Sequence, residues 1–253
     1  MIRVAAVGDI HMGLDSQGLL RPAFETLPDC ADLLLLAGDL TRHGTPEEAR
    51  VVAREVAGLP VPVVAVLGNH DHHEEQPEEV TAILREAGVR VLEGQSTVVE
   101  VDGKRVGVAG TKGFGGGFVG RSGSEFGEPL MKEFIRYTRR CAEGLRTSLD
   151  DLSEQGCDTR IALLHFAPVP DTLAGEPLEI YPFLGSYLLA EAIDAAGADL
   201  AVHGHAHAGT EHGMTSGGVP VRNVAQPVIR KAFNVYHLQG DRSAETTAAA
   251  HSG

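Results

Sequence analysis

Ile2-Arg3-Val4-Ala5-Ala6-Val7-Gly8-Asp9-Ile10-His11 opens on a run whose reading decides the fold. Residues 2–7 are apolar apart from Arg3, rich in β-branched and small side chains, and end at a glycine. That composition predicts a buried strand delivering Asp9 and His11 just past its carboxyl end. The arrangement recurs: Asp32–Ala37 leads into Gly38-Asp39-Leu40-Thr41, and Val61–Leu67 into Gly68-Asn69-His70-Asp71. Between these runs, Thr45-Pro46-Glu47-Glu48 has the threonine cap, first-position proline and acidic first turn of a helix start. That helix runs to about Ala57 and stops at Gly58. Gln76-Pro77-Glu78-Glu79 opens another, through Ala87 to Gly88. Repeated strand–loop–helix–strand units imply a parallel sheet with helices on its faces. Ligands of such sheets sit beyond the carboxyl ends of the strands.

Downstream, Val89–Leu92, Ser96–Val101 and Arg105–Ala109 read as shorter strands, with Asp102-Gly103 as a hairpin turn. Ser16–Leu27 has mixed helical spacing, Glu128–Leu152 reads as a long helix and Leu184–Ala196 as a shorter one. Ile161–Leu164 is a strand ending at His165, and Leu200–Val202 leads into Gly204-His205-Ala206-His207. Val219–Asn223 and Asn234–Leu238 close the α/β fold. Residues 1–240 read as one domain, and 241–253 as a frayed tail.

Composition narrows the function classes. A chain of 253 residues, 43% hydrophobic and 22% charged, can bury one sizeable α/β core. No apolar run approaches the ~20 residues that span a bilayer, and the start lacks a signal peptide's basic region and cleavage site. A cytoplasmic location is the expectation. Three scattered cysteines, Cys30, Cys141 and Cys157, fit reduced thiols. The net charge of -14 argues against nonspecific adhesion to nucleic acid or anionic membrane. It does not exclude a phosphate substrate, because bound divalent cations reverse the potential of their own cleft.

Asp9, His11, Asp39, Asn69, His165, His205 and His207 form a ligand list. Singly each has an ordinary reading: aspartates cap helices, an asparagine makes a turn, a histidine sits in a core. Together they place carboxylate, imidazole and amide at several strand ends, behind glycines that allow close backbone approach. Phosphoester hydrolysis needs such a set. Two cations ~3.5–4 Å apart neutralise the phosphoryl oxygens and lower the pKa of a bridging water, whose hydroxide attacks phosphorus. A carboxylate bridges them, and neutral imidazoles and oxygens complete the shells. Without thiolate ligands, the set suits manganese, iron, zinc, cobalt or nickel.

In these five blocks the chain resembles the calcineurin-like metallophosphoesterase superfamily. Its order is Asp-x-His, Gly-Asp, Gly-Asn-His-Asp/Glu, a lone His, then Gly-His-x-His, spread here from Asp9 to His207. The resemblance implies an αββα sandwich of two mixed sheets flanked by helices. It further implies that Asp9, His11 and His207 hold one metal, that Asn69, His165 and His205 hold a second, and that Asp39 bridges them. His70 would face the substrate and stabilise the transition state or protonate the leaving oxygen, with Asp71 orienting the His70 ring. Gly-Asp-Leu-Thr-Arg-His-Gly departs from the protein-phosphatase pattern Gly-Asp-x-Val-Asp-Arg-Gly, and looks more like the small bacterial phosphodiesterase branch.

The substrate readers are less defined. Gly110–Gly127 holds seven further glycines after Gly110 and reads either as a lid or as a phosphate cradle with Arg121 and Lys112. Phe166–Phe183 reads as a wall of the cleft, with Tyr181 and Phe183 as stacking residues or as core. His43, His72 and His73 line the cleft or sit in solvated loops. The expectation is a small phosphoester substrate, diesters slightly favoured over monoesters. A phosphomonoesterase, a nuclease of short oligonucleotides and a non-catalytic metal-binding scaffold are the alternatives.

Overall fold

A computed structural model describes residues 1–239, and the expected tail over 241–253 lies outside them. In chain order the strands are β1 (Ile2–Val7), β2 (Leu33–Ala37), β3 (Val63–Val66), β4 (Arg90–Val91), β5 (Gln95–Val101), β6 (Lys104–Thr111), β7 (Gly117–Phe118), β8 (Arg121–Ser122), β9 (Thr159–Leu164), β10 (Leu200–His203), β11 (His212–Met214), β12 (Pro220–Asn223) and β13 (Asn234–Leu238). The main helices are α1 (Pro46–Val56), α2 (Pro77–Glu86), α3 (Pro129–Glu154) and α4 (Tyr187–Ala196). Local chemistry sets their ends. Thr45 Oγ1 accepts from Glu48 N to start α1, and Asp102 and Gly103 both take positive φ in the β5–β6 hairpin turn. The helix expected from Leu184 begins at Tyr187, because Gly185 lies extended against the Ala167 backbone and Ser186 caps the first turn. Ser16–Leu27 gives only single turns, Arg21–Phe24 and Leu27–Cys30, each with a proline in its first turn.

Two mixed sheets result. One runs β13-β1-β2-β3-β4, parallel except for β13; the other runs β11-β12-β10-β9-β6-β5, antiparallel at its two ends. Their inner faces interlock through Val4, Leu35 and Val64 on one side and Val108, Ile161 and Leu163 on the other, all fully buried. Each such side chain contributes about 1.5–3 kcal/mol of apolar transfer. The outer face of the first sheet packs on α1 and α2 through Leu34, Leu36, Val52 and Leu84. The second packs on α3 and α4 through Ala162, Leu149 and Ile193. This is the αββα sandwich. Among the described residues no helix is long and apolar enough to cross a membrane.

Candidate metal centre

β1, β2, β3, β9 and β10 end on one edge of the sandwich, and the loops leaving them carry every expected ligand. These loops turn sharply. Of the seven described non-glycine residues with positive φ, four are Asp9, His11, Asp39 and His205. Left-handed backbone costs such residues of order 1–3 kcal/mol each, and its concentration here marks a functional site. The neighbouring glycines are sterically required. A Cβ on Gly68 would lie 2.1 Å from Asp39 Oδ1, one on Gly204 2.3 Å from Asp9 Oδ2, and one on Gly38 2.6 Å from His165 Nδ1.

Two clusters follow. Asp9, His11, Asp39 and His207 offer ligand atoms within 4.8 Å of one another, and Asp39, His165 and His205 do the same. Asp39 is common to both. Hydrogen bonding selects the free nitrogen of the buried rings. His165 Nδ1 donates to the Ala37 carbonyl at 2.9 Å, which leaves Nε2 a lone pair facing Asn69 Oδ1 at 3.0 Å and Asp39 Oδ1 at 3.3 Å. His205 Nε2 donates to the Phe183 carbonyl at 3.2 Å, leaving Nδ1 free. A buried set of acceptors facing acceptors is unfavourable alone and suits a cation. The donor set therefore fits metal ions on chemistry as well as position.

Electrostatics agree. Burial pushes the Asp9 carboxyl up to about 6, against its bonds to His207 and the His205 N–H. Burial also holds His11 down to about 4, His205 to about 3 and His165 well below its ordinary value, so these rings are neutral near pH 7, the form in which imidazole can bind a cation. His207 moves the other way, raised chiefly by its 2.8 Å bond to Asp9 Oδ1. A cation held by Asp9 and His207 would displace the proton shared there.

His70 sits at the rim, its ring 4.5 Å from that of His11 and its Nε2 3.9 Å from Asp39 Oδ2. The expected role of Asp71 is corrected by the geometry. His70 Nδ1 bonds the Arg42 carbonyl at 2.8 Å, whereas Asp71 accepts from Leu40 N, Thr41 N, Thr41 Oγ1 and Gly68 N. A carboxylate surrounded by four donors has no capacity left to orient a ring. Asp71 instead ties the loop after β2 to the loop after β3, and its own pKa is raised to about 6 by burial and then by Asp39.

The expected substrate residues are dispersed. Lys112 is 5% exposed at the end of β6, its Nζ over the rings of Phe114, Tyr137 and Phe166 at 4.9, 5.4 and 5.3 Å. Burial lowers its pKa. Arg121 is exposed on β8. Tyr181 donates its hydroxyl to the Leu173 carbonyl at 2.9 Å and packs with Phe118, so it braces the wall, leaving Phe183 as the exposed ring. The glycine-rich segment is zipped down over much of its length, with Gly116 N and Gly117 N donating to Pro182 and Gly185. His43 bonds Glu48, and His72 borders a second cavity with Leu67 and Glu93. Pattern reading missed the Arg42 carbonyl, which has no residue signature. It also missed fully buried His203, whose Nε2 lies 2.8 Å from Thr172 Oγ1 behind the Gly204–His207 turn; its place as the last residue of β10 was the available signal.

The family model for calcineurin-like phosphoesterases matches residues 2–209. A probable cyclic nucleotide phosphodiesterase of Synechococcus sp. is 35% identical over 92 residues, which cover 32% of this chain and 34% of that protein. The match thus spans about a third of the curated relative's length. Among solved structures, the phosphopantetheinyl hydrolase of Mycobacterium tuberculosis superposes with a TM-score of 0.60 at 17% identity, covering 90% of each chain. A 5'-nucleotidase precursor from Thermus thermophilus gives 0.53 at 18% identity, covering 88% of this chain and 48% of that one. At such identities the structural likeness shows the fold.

Proposed function

The chain belongs to the calcineurin-like phosphoesterase family, and from that premise we propose that it is a dinuclear metal-dependent phosphoester hydrolase that favours diesters. The observation that carries the reading is the convergence on Asp39: His165 Nε2 at 3.3 Å and His11 and His70 Nε2 at 3.8 and 3.9 Å, with Asp39 shared by both ligand clusters. Asp9, His11 and His207 would hold one ion, Asn69, His165 and His205 the other, and Asp39 would touch both. When bound, such ions supply Lewis acidity toward phosphoryl oxygens and activate water. The chain's own part is positional and protic. Asp71 holds the Asp39 and Asn69 loops together through its four bonds, fixing the ligands. The Arg42 carbonyl accepts from His70 Nδ1–H, so Nε2 faces the cleft and is the nitrogen that can donate a proton to a departing alkoxide. The diester preference draws support from the phosphodiesterase named among the relatives.

The test is turnover of bis-p-nitrophenyl phosphate and p-nitrophenyl phosphate by manganese-loaded protein. Asp39→Ala and His70→Ala are each expected to cost about a hundredfold or more in rate. A loss under about tenfold for either, or faster turnover of the monoester, overturns the corresponding part of the reading.

A further inference from the structure

Beside the metal centre the chain builds an apolar groove that the reaction itself does not require. A cavity of about 310 Å³ is lined chiefly by Gly116, Leu130, Met131, Phe134, Pro182 and Phe183, and no charged side chain lines it. It joins the centre through Phe183, whose carbonyl holds the His205 ring at 3.2 Å and whose own ring is 61% exposed. Its walls are fixed by backbone. Gly116 N donates to the Pro182 carbonyl at 2.7 Å, and a Cβ on Gly115 would lie 2.5 Å from that oxygen, so only glycine lets the two segments meet. Three of its lining side chains, Leu130, Met131 and Phe183, are exposed. Seven of the eleven large apolar side chains that the described residues leave exposed lie within residues 119–131 and 178–183, with Leu130 at 85%. Scattered single residues need no explanation, but three exposed apolar side chains that line one uncharged cavity do.

We propose that this groove is the specificity subsite for an apolar ester arm of the substrate, the arm that stays on phosphorus. The proposal rests on the hydrolase reading above. His70, the proton donor to the leaving oxygen, packs on His11 of the first cluster, while Phe183 of the groove accepts through its carbonyl from His205 of the second. The leaving arm is thus assigned to the side of the first cluster, and the retained arm to that of the second, toward Phe183. A sugar or a charged arm would leave donors and acceptors unpaired against these walls. An alkyl or aryl arm would not.

The experiment uses p-nitrophenyl methyl, butyl and hexyl phosphates as substrates. Methyl-, butyl- and hexylphosphonate binding to the manganese-loaded protein, by calorimetry, is the readout independent of turnover. Both kcat/KM and phosphonate affinity are expected to rise about threefold per methylene. Met131→Glu puts a charge in the groove at a first-turn position of α3, where the helix tolerates an acid. It should bring the hexyl-to-methyl ratio close to one in both readouts. A flat series with the unaltered protein overturns the proposal. So does a concentration-dependent dimer that Met131→Glu abolishes, since the occupant is then a second copy of this chain. If the phosphonate series keeps its slope while no ester is hydrolysed, the groove stands and the hydrolase reading falls.

Discussion

Asp9 carries an electrostatic conflict between burial and its bonded partners. Its carboxyl is 2% exposed, its neighbour Asp39 repels a second charge, and burial sets its pKa at about 6 against the ordinary 3.8. In metal-free protein the neutral form is therefore favoured by folding. That contribution is full below about pH 4 and is lost as pH rises through about 6. A cation reverses the balance by pairing the carboxylate. His11 and His205, held down to about 4 and 3, offer no proton competition above pH 5, so Asp9 and its partner His207 dominate the coupling. The rise in Tm on adding manganese should accordingly be larger at pH 7.5 than at pH 5. At this chain length each kcal/mol of coupling shifts Tm by about 2–4 °C. Thermal scans at the two pH values, with and without metal, check this, and equal shifts would remove Asp9 from the ligand set.

At the scale of elements, the loops after β1, β2, β3 and β10 bring the candidate ligands together only because a glycine precedes each turn. Gly68 has no space for a methyl group, its Cβ position lying 2.1 Å from Asp39 Oδ1 and 2.3 Å from Asp39 N. Gly68→Ala must displace the shared carboxylate, and it is expected to weaken manganese binding by more than about tenfold while the far-UV spectrum stays that of the native sandwich; calorimetric titration measures the first and circular dichroism the second. The same loops explain what the amino-acid pattern discloses. β1 and β13 begin and end where the apolar runs do, and the ligand loops announce themselves because acid, amide and imidazole recur after those runs. The Asp71 clamp was hidden: its partners are mostly backbone N–H groups brought in by turns, and no side-chain pattern encodes them. The sequence offers Lys112 to a phosphate cradle, yet the rings around it come from three separate segments, at Phe114, Tyr137 and Phe166, which only tertiary packing assembles. The groove was likewise illegible, since the glycines of 110–127 signal freedom of backbone but not the Pro182–Phe183 wall they press against.

For the whole molecule, the centre is where the two sheets meet through polar rather than apolar contact. Asp9, His11, Asp39 and Asn69 follow strands of the first sheet, and His165, His205 and His207 follow strands of the second. Away from this edge the sheets are held by the inner core of Val4, Leu35, Val108 and Leu163, which needs no ion. Bound metal would thus act as a staple at one end of a sandwich that is already folded. Because ions bind the native state and not the unfolded chain, saturation at about a hundred times Kd adds about 2.7 kcal/mol. Chelation should therefore lower Tm by roughly 5–10 °C without unfolding the protein at 25 °C. Hydrogen exchange gives this prediction its spatial form. On chelation, amides of residues 8–12, 38–42, 68–72 and 203–207 should lose protection together, while those of β1, β2, β6 and β9 keep theirs. Loss confined to loops of one sheet would show that the ions rest on that sheet alone, and the shared position of Asp39 between two clusters would then lose its meaning.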